Sequence, residues 1–266
     1  MIRGLADCVR LVASRRRVLL RTTATEIKRR YAGSALGLVW IGVGPVLLML
    51  LHATVYGAVL RVSPPGMTRE EYVLHMLAGL LPFLGCSEAL SAGTLSLKAQ
   101  RDVLLSTVFP AELVPLRAVL VAMAAPAVGL VLVAVADAVL ARPSAWLLCV
   151  PIVLLLLAMF VSGVAWLMSL ANLVAPDIQL LLPYVSIVLL IASPIAYTPD
   201  MLPDGLARAV WLNPISVFVV ATQSLVVHDA FPPWPVALGC VALGLASFTL
   251  GWRTFQRAKR AMFDHA

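Results

Sequence analysis

The sequence predicts an all-α membrane protein of six transmembrane helices, with an interfacial amphipathic helix at its N-terminus and a re-entrant helical segment between spans five and six. Three observations carry this. Hydrophobic residues make up 61% of the chain against 12% charged, and mean hydropathy is +0.97, far from the balance of a soluble domain. Apolar runs of roughly 20 residues, the length that crosses a bilayer core, recur near 36–60, 73–97, 116–140, 146–171, 178–197 and 234–252. Lysine and arginine, finally, crowd alternate flanks of these runs.

The N-terminal segment, 1–35, holds Arg3, Arg10, Arg15, Arg16, Arg17, Arg21, Lys28, Arg29 and Arg30. On a helical projection Arg3, Arg10, Arg17 and Arg21 share a face, with Leu5, Val9, Val12 and Leu19 roughly opposite, the pattern of a helix lying along a membrane surface. Arg16 breaks the apolar face, and a solvated basic tail is the competing reading. No short apolar core with a small-residue cleavage site precedes the first span, so the start is expected to be retained. From Glu26 to Pro45 the chain reads EIKRRYAGSALGLVWIGVGP, a basic stretch running straight into an apolar one, which marks the start of the first span.

Lys98, Arg101 and Arg117 follow the second span, and Arg253, Arg257, Lys259 and Arg260 follow the last, whereas the alternate loops hold only Arg61, Arg69, Arg142 and Arg208. Positive flanks stay in the cytoplasm. Both termini are therefore expected there, with a six-helix domain over 36–252 and a cytoplasmic tail over 253–266. The same asymmetry, with attraction to anionic membrane lipids, accounts for the net charge of +7 without nucleic acid.

Between spans two and three lies SLKAQRDVLLSTVFPAELVPL. Lys98, Arg101 and Val103-Leu104 begin a short amphipathic helix, Lys98 and Asp102 stand at pairing distance along it, and Pro110 and Pro115 punctuate its exit. Such a helix offers a grip to a cytosolic partner; a solvated connector is the alternative. Spans three and four are separated by Ala141-Arg142-Pro143-Ser144, a turn in which proline ends the helix.

After span five the chain reads SPIAYTPDMLPDGLARAVWLNPISVFVVATQSLVVHDAFPPW. Proline after Ser193 disfavours helix there, and Pro199 and Pro203 forbid a regular helix through the exit. Asn213-Pro214 then opens an apolar stretch of about 14 residues, too short to cross, which ends at His228-Asp229. Broken backbone at membrane depth survives only against protein or water, so this region is the candidate outer gate; a loop on the headgroups competes with it. Within the spans, Glu88 and Asp137 are costly carboxylates. Glu88 either lines a hydrated channel or sits protonated at a packing interface, while Asp137 lies near enough to the surface to snorkel.

Other chemistries find little support. Cys8, Cys86, Cys149 and Cys240 show no paired spacing, and His52, His75, His228 and His265 are scattered, so neither disulfides nor a metal site is expected. The lysines, Lys28, Lys98 and Lys259, lie outside any phosphate-cradling G-x-x-x-x-G-K-[ST] motif. Neither G-x-S-x-G nor H-E-x-x-H occurs. The chain is thus read as doing no covalent chemistry.

Five motifs in order, EIKRRYAGSALGLVW with Pro45, FPAELVPL at Phe109–Leu116, Asn172 through Asp177, SPIAYTPDMLP at Ser193–Pro203 and Asn213-Pro214, make the chain resemble the transmembrane subunit of ABC-type polysaccharide exporters, from about Thr25 to Arg257. Members of that family move O-antigen, capsule or teichoic acid chains. The resemblance implies an ATP-driven exporter of a lipid-linked polysaccharide of capsule or O-antigen type in a bacterial inner membrane. It implies a homodimer bound to two copies of a separate ATPase, which holds ATP and Mg, with no cofactor in this chain; periplasmic export components are further candidate partners. An ATP-independent glycolipid carrier and a drug or small-lipid ABC permease are the alternatives.

By the same resemblance, Lys98, Gln100, Arg101, Asp102, Leu105, Phe109 and Pro110 form the ATPase-coupling element. Glu26, Lys28, Arg29, Arg30, Tyr31 and Gly33 form an N-terminal interface. Channel or gate candidates are Trp40, Tyr56, Phe83, Glu88, Ser193, Pro194, Tyr197, Asn213, Pro214 and Gln223. Phe160, Trp166 and Tyr184 are further rings able to meet sugars, with ordinary packing as the alternative, and Trp146, Trp211, Trp234 and Trp252 suit an interfacial belt. Two positions depart from the family pattern, Pro176 before Asp177 and Gln223, each where arginine is usual.

Overall fold

A computed structural model of the chain describes residues 2–59, 66–100, 110–140, 145–198 and 201–263. Among the described residues all regular structure is helical: α1 (Ile2–Arg30), α2 (Trp40–His52), α3 (Arg69–Ala99), α4 (Leu113–Leu140), α5 (Val150–Val174), α6 (Ile178–Ala192), α7 (Asp204–Val210), α8 (Ser216–Val226) and α9 (Trp234–Phe263). Short 3₁₀ turns, Gly37–Val39 and Ala145–Cys149, lead into α2 and α5, and α2 continues as a π-helical stretch, Ala53–Val59. Five segments, Gly37–Tyr56, Arg69–Ala99, Leu113–Leu140, Ala145–Val174 and Trp234–Arg260, are long and apolar enough to cross a membrane.

The helix α1 ends as its composition dictates. Lys28, Arg29 and Arg30 fill the last turn, where positive charge meets the carbonyl end of the dipole, and the chain then turns through Gly33 at φ 84°, a conformation that favours glycine. Leu19 and Thr23 are buried, and Leu11 and Val12 pack on the inner cluster of Trp166, Phe248 and Trp252. Arg10, Arg15, Arg16, Arg17 and Arg21 all face outward, so Arg16 does not interrupt the buried stripe.

The packing centre is α3, which is mostly buried, whereas Gly37–Tyr56 is almost wholly exposed. α3 starts with a capping box in which Thr68 Oγ1 accepts from the Glu71 N–H at 3.2 Å and Glu71 Oε2 accepts from the Thr68 N–H at 2.7 Å, satisfying two otherwise orphaned donors. Against α3 lie α4, α5 and α8, while α5 and α9 pair along their length. That pairing rests on small residues, as helix contacts in lipid do. A Cβ on Gly163 collides with the backbone of Ser247, a Cβ on Gly251 collides with that of Gly163, and Ser247 Oγ donates to the Phe160 carbonyl at 2.7 Å.

Three features differ from the sequence expectations. The fifth apolar run is helical only over Ile178–Ala192, 15 residues, about 22 Å against a core of about 30 Å. Pro194 pushes Ser193 to ψ 137°, and the remaining stretch to Tyr197 is irregular. Asp137 does not snorkel: it is buried, with Oδ2 lacking a partner among the described residues. Trp252 leaves the interfacial belt for the inner cluster, its ring 5.5 Å from that of Trp166. The predicted turn at 141–144 lies outside the described residues.

Replacing Gly163 with leucine forces α5 from α9 and is expected to cost about 1–3 kcal/mol or more, lowering the thermal unfolding temperature of the detergent-solubilised protein. Gly42→Ala, with open space around it, serves as the control and leaves that temperature unchanged.

Candidate functional site

The candidate residues gather at the two ends of the bundle. At the basic end, α4 begins at the FPAELVPL motif, and the Pro110 carbonyl accepts from the Leu113 N–H at 3.0 Å. Glu112, just before that helix, is buried. Its carboxylate accepts from Lys259 Nζ of α9 at 2.9 and 3.2 Å and from Gln256 Nε2 at 3.4 Å. Its carbonyl accepts from the Trp166 indole N–H at 2.9 Å. Trp166 is itself fully buried, with Leu19, Leu97, Leu113 and Phe255 in the same cluster.

Lys98 is exposed, and Gln100 and Pro110 are half-buried. Arg101, Asp102, Leu105 and Phe109 lie outside the described residues. Both attachments of that segment are nevertheless visible: α3 arrives through buried Leu97 and α4 departs through buried Glu112. The described ends on either side, Leu97 and Leu113, belong to one packed cluster. Alongside, buried Asn172 donates to the Thr94 carbonyl at 3.4 Å, tying α5 to α3, while Pro176 and Asp177 are exposed.

In the N-terminal group, Lys28, Arg29 and Gly33 are exposed and Glu26 and Tyr31 half-buried. Arg30 joins the channel candidate Glu88 in an ion pair. The Glu88 side chain is partly exposed and has a cation as partner. In a partly solvated position such a contact contributes at most about 1 kcal/mol, so its effect is to hold the end of α1 against α3.

At the opposite end, Ser193, Pro194, Asn213 and Gln223 form one buried knot. Asn213 Nδ2 donates to Ser193 Oγ at 2.8 Å and to the Leu189 carbonyl at 3.1 Å, while Asn213 Oδ1 accepts from the Ile215 N–H at 3.0 Å. That last bond starts α8 beside Pro214, which has no N–H of its own to offer. Gln223 Nε2 faces the carbonyls of Pro194 at 3.1 Å, His75 at 3.3 Å and Ile195 at 3.5 Å. Gly79 makes this approach possible, because a Cβ there stands 2.6 Å from that nitrogen. Tyr72 Oη donates to the Ala196 carbonyl at 2.8 Å and Thr222 Oγ1 to that of Ala78 at 2.8 Å.

Gln223 is therefore engaged with backbone through its Nε2. Tyr197 is partly exposed and donates to the Ile191 carbonyl at 3.1 Å. Tyr56 stacks on His52 at 5.9 Å. His228, in the loop after α8, lies with its ring 5.3 Å from that of His75. Burial holds the His228 pKa below its ordinary value against the pull of Glu71, so protonation works against the docked loop. Phe83 is buried in the core and shows no open face; Trp166 likewise, whereas Trp40 and, on α6, Tyr184 are exposed. No cluster among the described residues is placed to hold a metal ion.

Sequence reading passed over Glu112, since a glutamate beside two prolines carries no local sign of burial. It also missed Tyr72 and Gly79, whose roles depend on residues far along the chain.

Residues 18–227 match the ABC-2 type transporter family. The O-antigen export system permease protein RfbA of Myxococcus xanthus is 26% identical over 247 residues, covering 92% of each chain. A protein of the same description from Klebsiella pneumoniae is 24% identical over 216 residues, 78% of this chain and 79% of its own.

Removing Lys259 strands a buried carboxylate: Lys259→Ala is expected to cost about 3–5 kcal/mol, and Glu112→Gln in the same chain to recover most of it, as read by thermal unfolding. At the other end, Gln223→Leu leaves carbonyls without donors at about 1–3 kcal/mol. Limited proteolysis should then cut faster after Ala192, with the basic end undisturbed.

Proposed function

Because the chain belongs to the ABC-2 type transporter family, we propose that it is the membrane subunit of an ATP-driven exporter that carries a lipid-linked cell-surface polysaccharide, of O-antigen or capsule type, across the bacterial inner membrane. It is a multi-pass integral membrane protein whose ATPase is a separate partner. The observation that carries the polysaccharide reading is the near full-length similarity to O-antigen export permeases.

The geometry supports a specific division of labour. Force applied to residues 101–109 reaches α3 through Leu97 and α4 through Glu112, and the Lys259 pair passes it to α9. These helices share the Trp166 cluster, so they shift as a unit. α3 continues to the opposite end, where the carbonyls of His75 and Ala78 hold Gln223 and Thr222 of α8. An inner displacement thus bears on the knot around Asn213, the gate in this reading. ATP binding and hydrolysis favour one arrangement through differential affinity for it.

A second copy completes the conduit in this proposal. α6 exposes Leu180, Leu181, Tyr184, Ile187, Val188 and Ile191, and α2 exposes Trp40, Leu47, Leu50 and Leu51, faces that lipid or a partner subunit covers. Trp40 and Tyr184 are the candidates left with open rings for sugar. The charge distribution supports cytoplasmic termini, which sets the Arg-rich end toward the ATPase.

Alanine at both Arg101 and Phe109 is expected to reduce glycan export at least about tenfold, with membrane insertion and basal ATPase activity retained. Export at the normal rate by that variant, or by the chain without its ATPase, excludes this mechanism.

A further inference from the structure

At the end away from the basic flanks, α2, α3 and α4 enclose a side-opening groove of about 700 Å³. Met49, Leu50, Leu74, Leu77, Leu132 and Val135 are among its walls, and every described lining residue is apolar except two, Arg69 and Glu70. These two stand at the start of α3 and are exposed. From Arg69 to Leu77 the groove follows α3 for about 12 Å, most of the roughly 15 Å half-thickness of a hydrocarbon core. Its shape is thus a greasy slot one leaflet deep, with charge at the rim.

The charges at the rim define the occupant. Glu71 is held by the Thr68 N–H, and neither Arg69 nor Glu70 forms an ion pair with another described residue. Among the described residues, one cation and one anion therefore stand side by side without an ion-pair partner. Arg69 presents a planar fork of donors suited to phosphate, and the N-terminus of α3 adds positive potential there. Glu70 presents an acceptor for an N–H donor. A headgroup with phosphate alone meets Arg69 but is repelled by Glu70. A choline headgroup brings a cation without N–H groups. A headgroup carrying both phosphate and a primary ammonium satisfies both side chains.

We propose that this groove binds one phosphatidylethanolamine molecule of the leaflet opposite the basic end, with its phosphate on Arg69, its ammonium on Glu70 and an acyl chain between α2 and the α3–α4 pair. The lipid fills the contact that the protein leaves open beside α2 and steadies that otherwise exposed helix. The site is separate from the Asn213 knot and from the coupling end.

The test uses the full chain with its partner ATPase in nanodiscs of phosphatidylethanolamine, phosphatidylglycerol and phosphatidylcholine in equal amounts. In each of three arms one lipid carries a photoactivatable acyl chain, and cross-links are mapped by mass spectrometry. Phosphatidylethanolamine is expected to label the peptides carrying Met49–Ala53 and Leu132–Ala136 about tenfold more than the other two. Arg69→Gln or Glu70→Gln should each abolish that preference, and Leu74→Trp, which fills the groove, should abolish the labelling itself. Equal labelling by all three lipids in the unaltered protein means ordinary boundary lipid and overturns the proposal. So does cross-linking of these peptides to a second copy of the chain. The comparison among lipids needs no variant, and normal export would leave it untouched.

Discussion

Backbone polar groups that leave a helix inside a bilayer must find partners within the protein, and the run from Ser193 to Tyr197 is where this chain meets that demand. The α6 helix stops at Ala192, and the residues that follow, Ser193 to Ile195, are buried in the protein. The carbonyls of Pro194, Ile195 and Ala196 receive donors from Gln223 and Tyr72, and the side chain that ends the helix, Ser193, is held by Asn213. These donors come from α3, from α8 and from the turn before it. Satisfying one irregular strand of backbone therefore fixes the mutual position of α3, α6 and α8.

The basic end is organised around a different cost. A buried carboxylate without a partner is several kcal/mol uphill, so Glu112 confines Lys259 and Gln256, and with them the end of α9, to one place. The ion pair is less a source of stability than a constraint on geometry. Trp166 adds to it by giving its indole N–H to the backbone of the same residue, so the base of α4 is held through both its side chain and its main chain. The described residues on either side of 101–109 are thereby fixed, since Leu97 and Leu113 belong to the same packed cluster.

Helix pattern, five of the six long apolar runs and charge asymmetry were legible because each is a local property: hydrophobic length, proline position and arginine content are read within one window. The break after Ala192 and the short helix after Asn213-Pro214 were legible for the same reason, through prolines and the length of the apolar run. What escaped was pairing. The partner of Glu112 lies 147 residues away and that of Gln223 148 residues away in the case of His75. No spacing rule reaches that far. Asp137 and Trp252 were misplaced by the same limit, since depth along a helix was taken for exposure and the neighbouring helix decided otherwise.

The sequence by itself determined that this is an all-α membrane protein, where its basic flanks lie and which segments break helix, because solvation and backbone sterics act residue by residue. Only the tertiary structure decided that Gln223 serves carbonyls, that Glu88 meets Arg30, and that α6 ends after 15 residues. Those outcomes depend on which surfaces come together, and close contact in lipid is chosen by shape and by the need to leave no polar group alone.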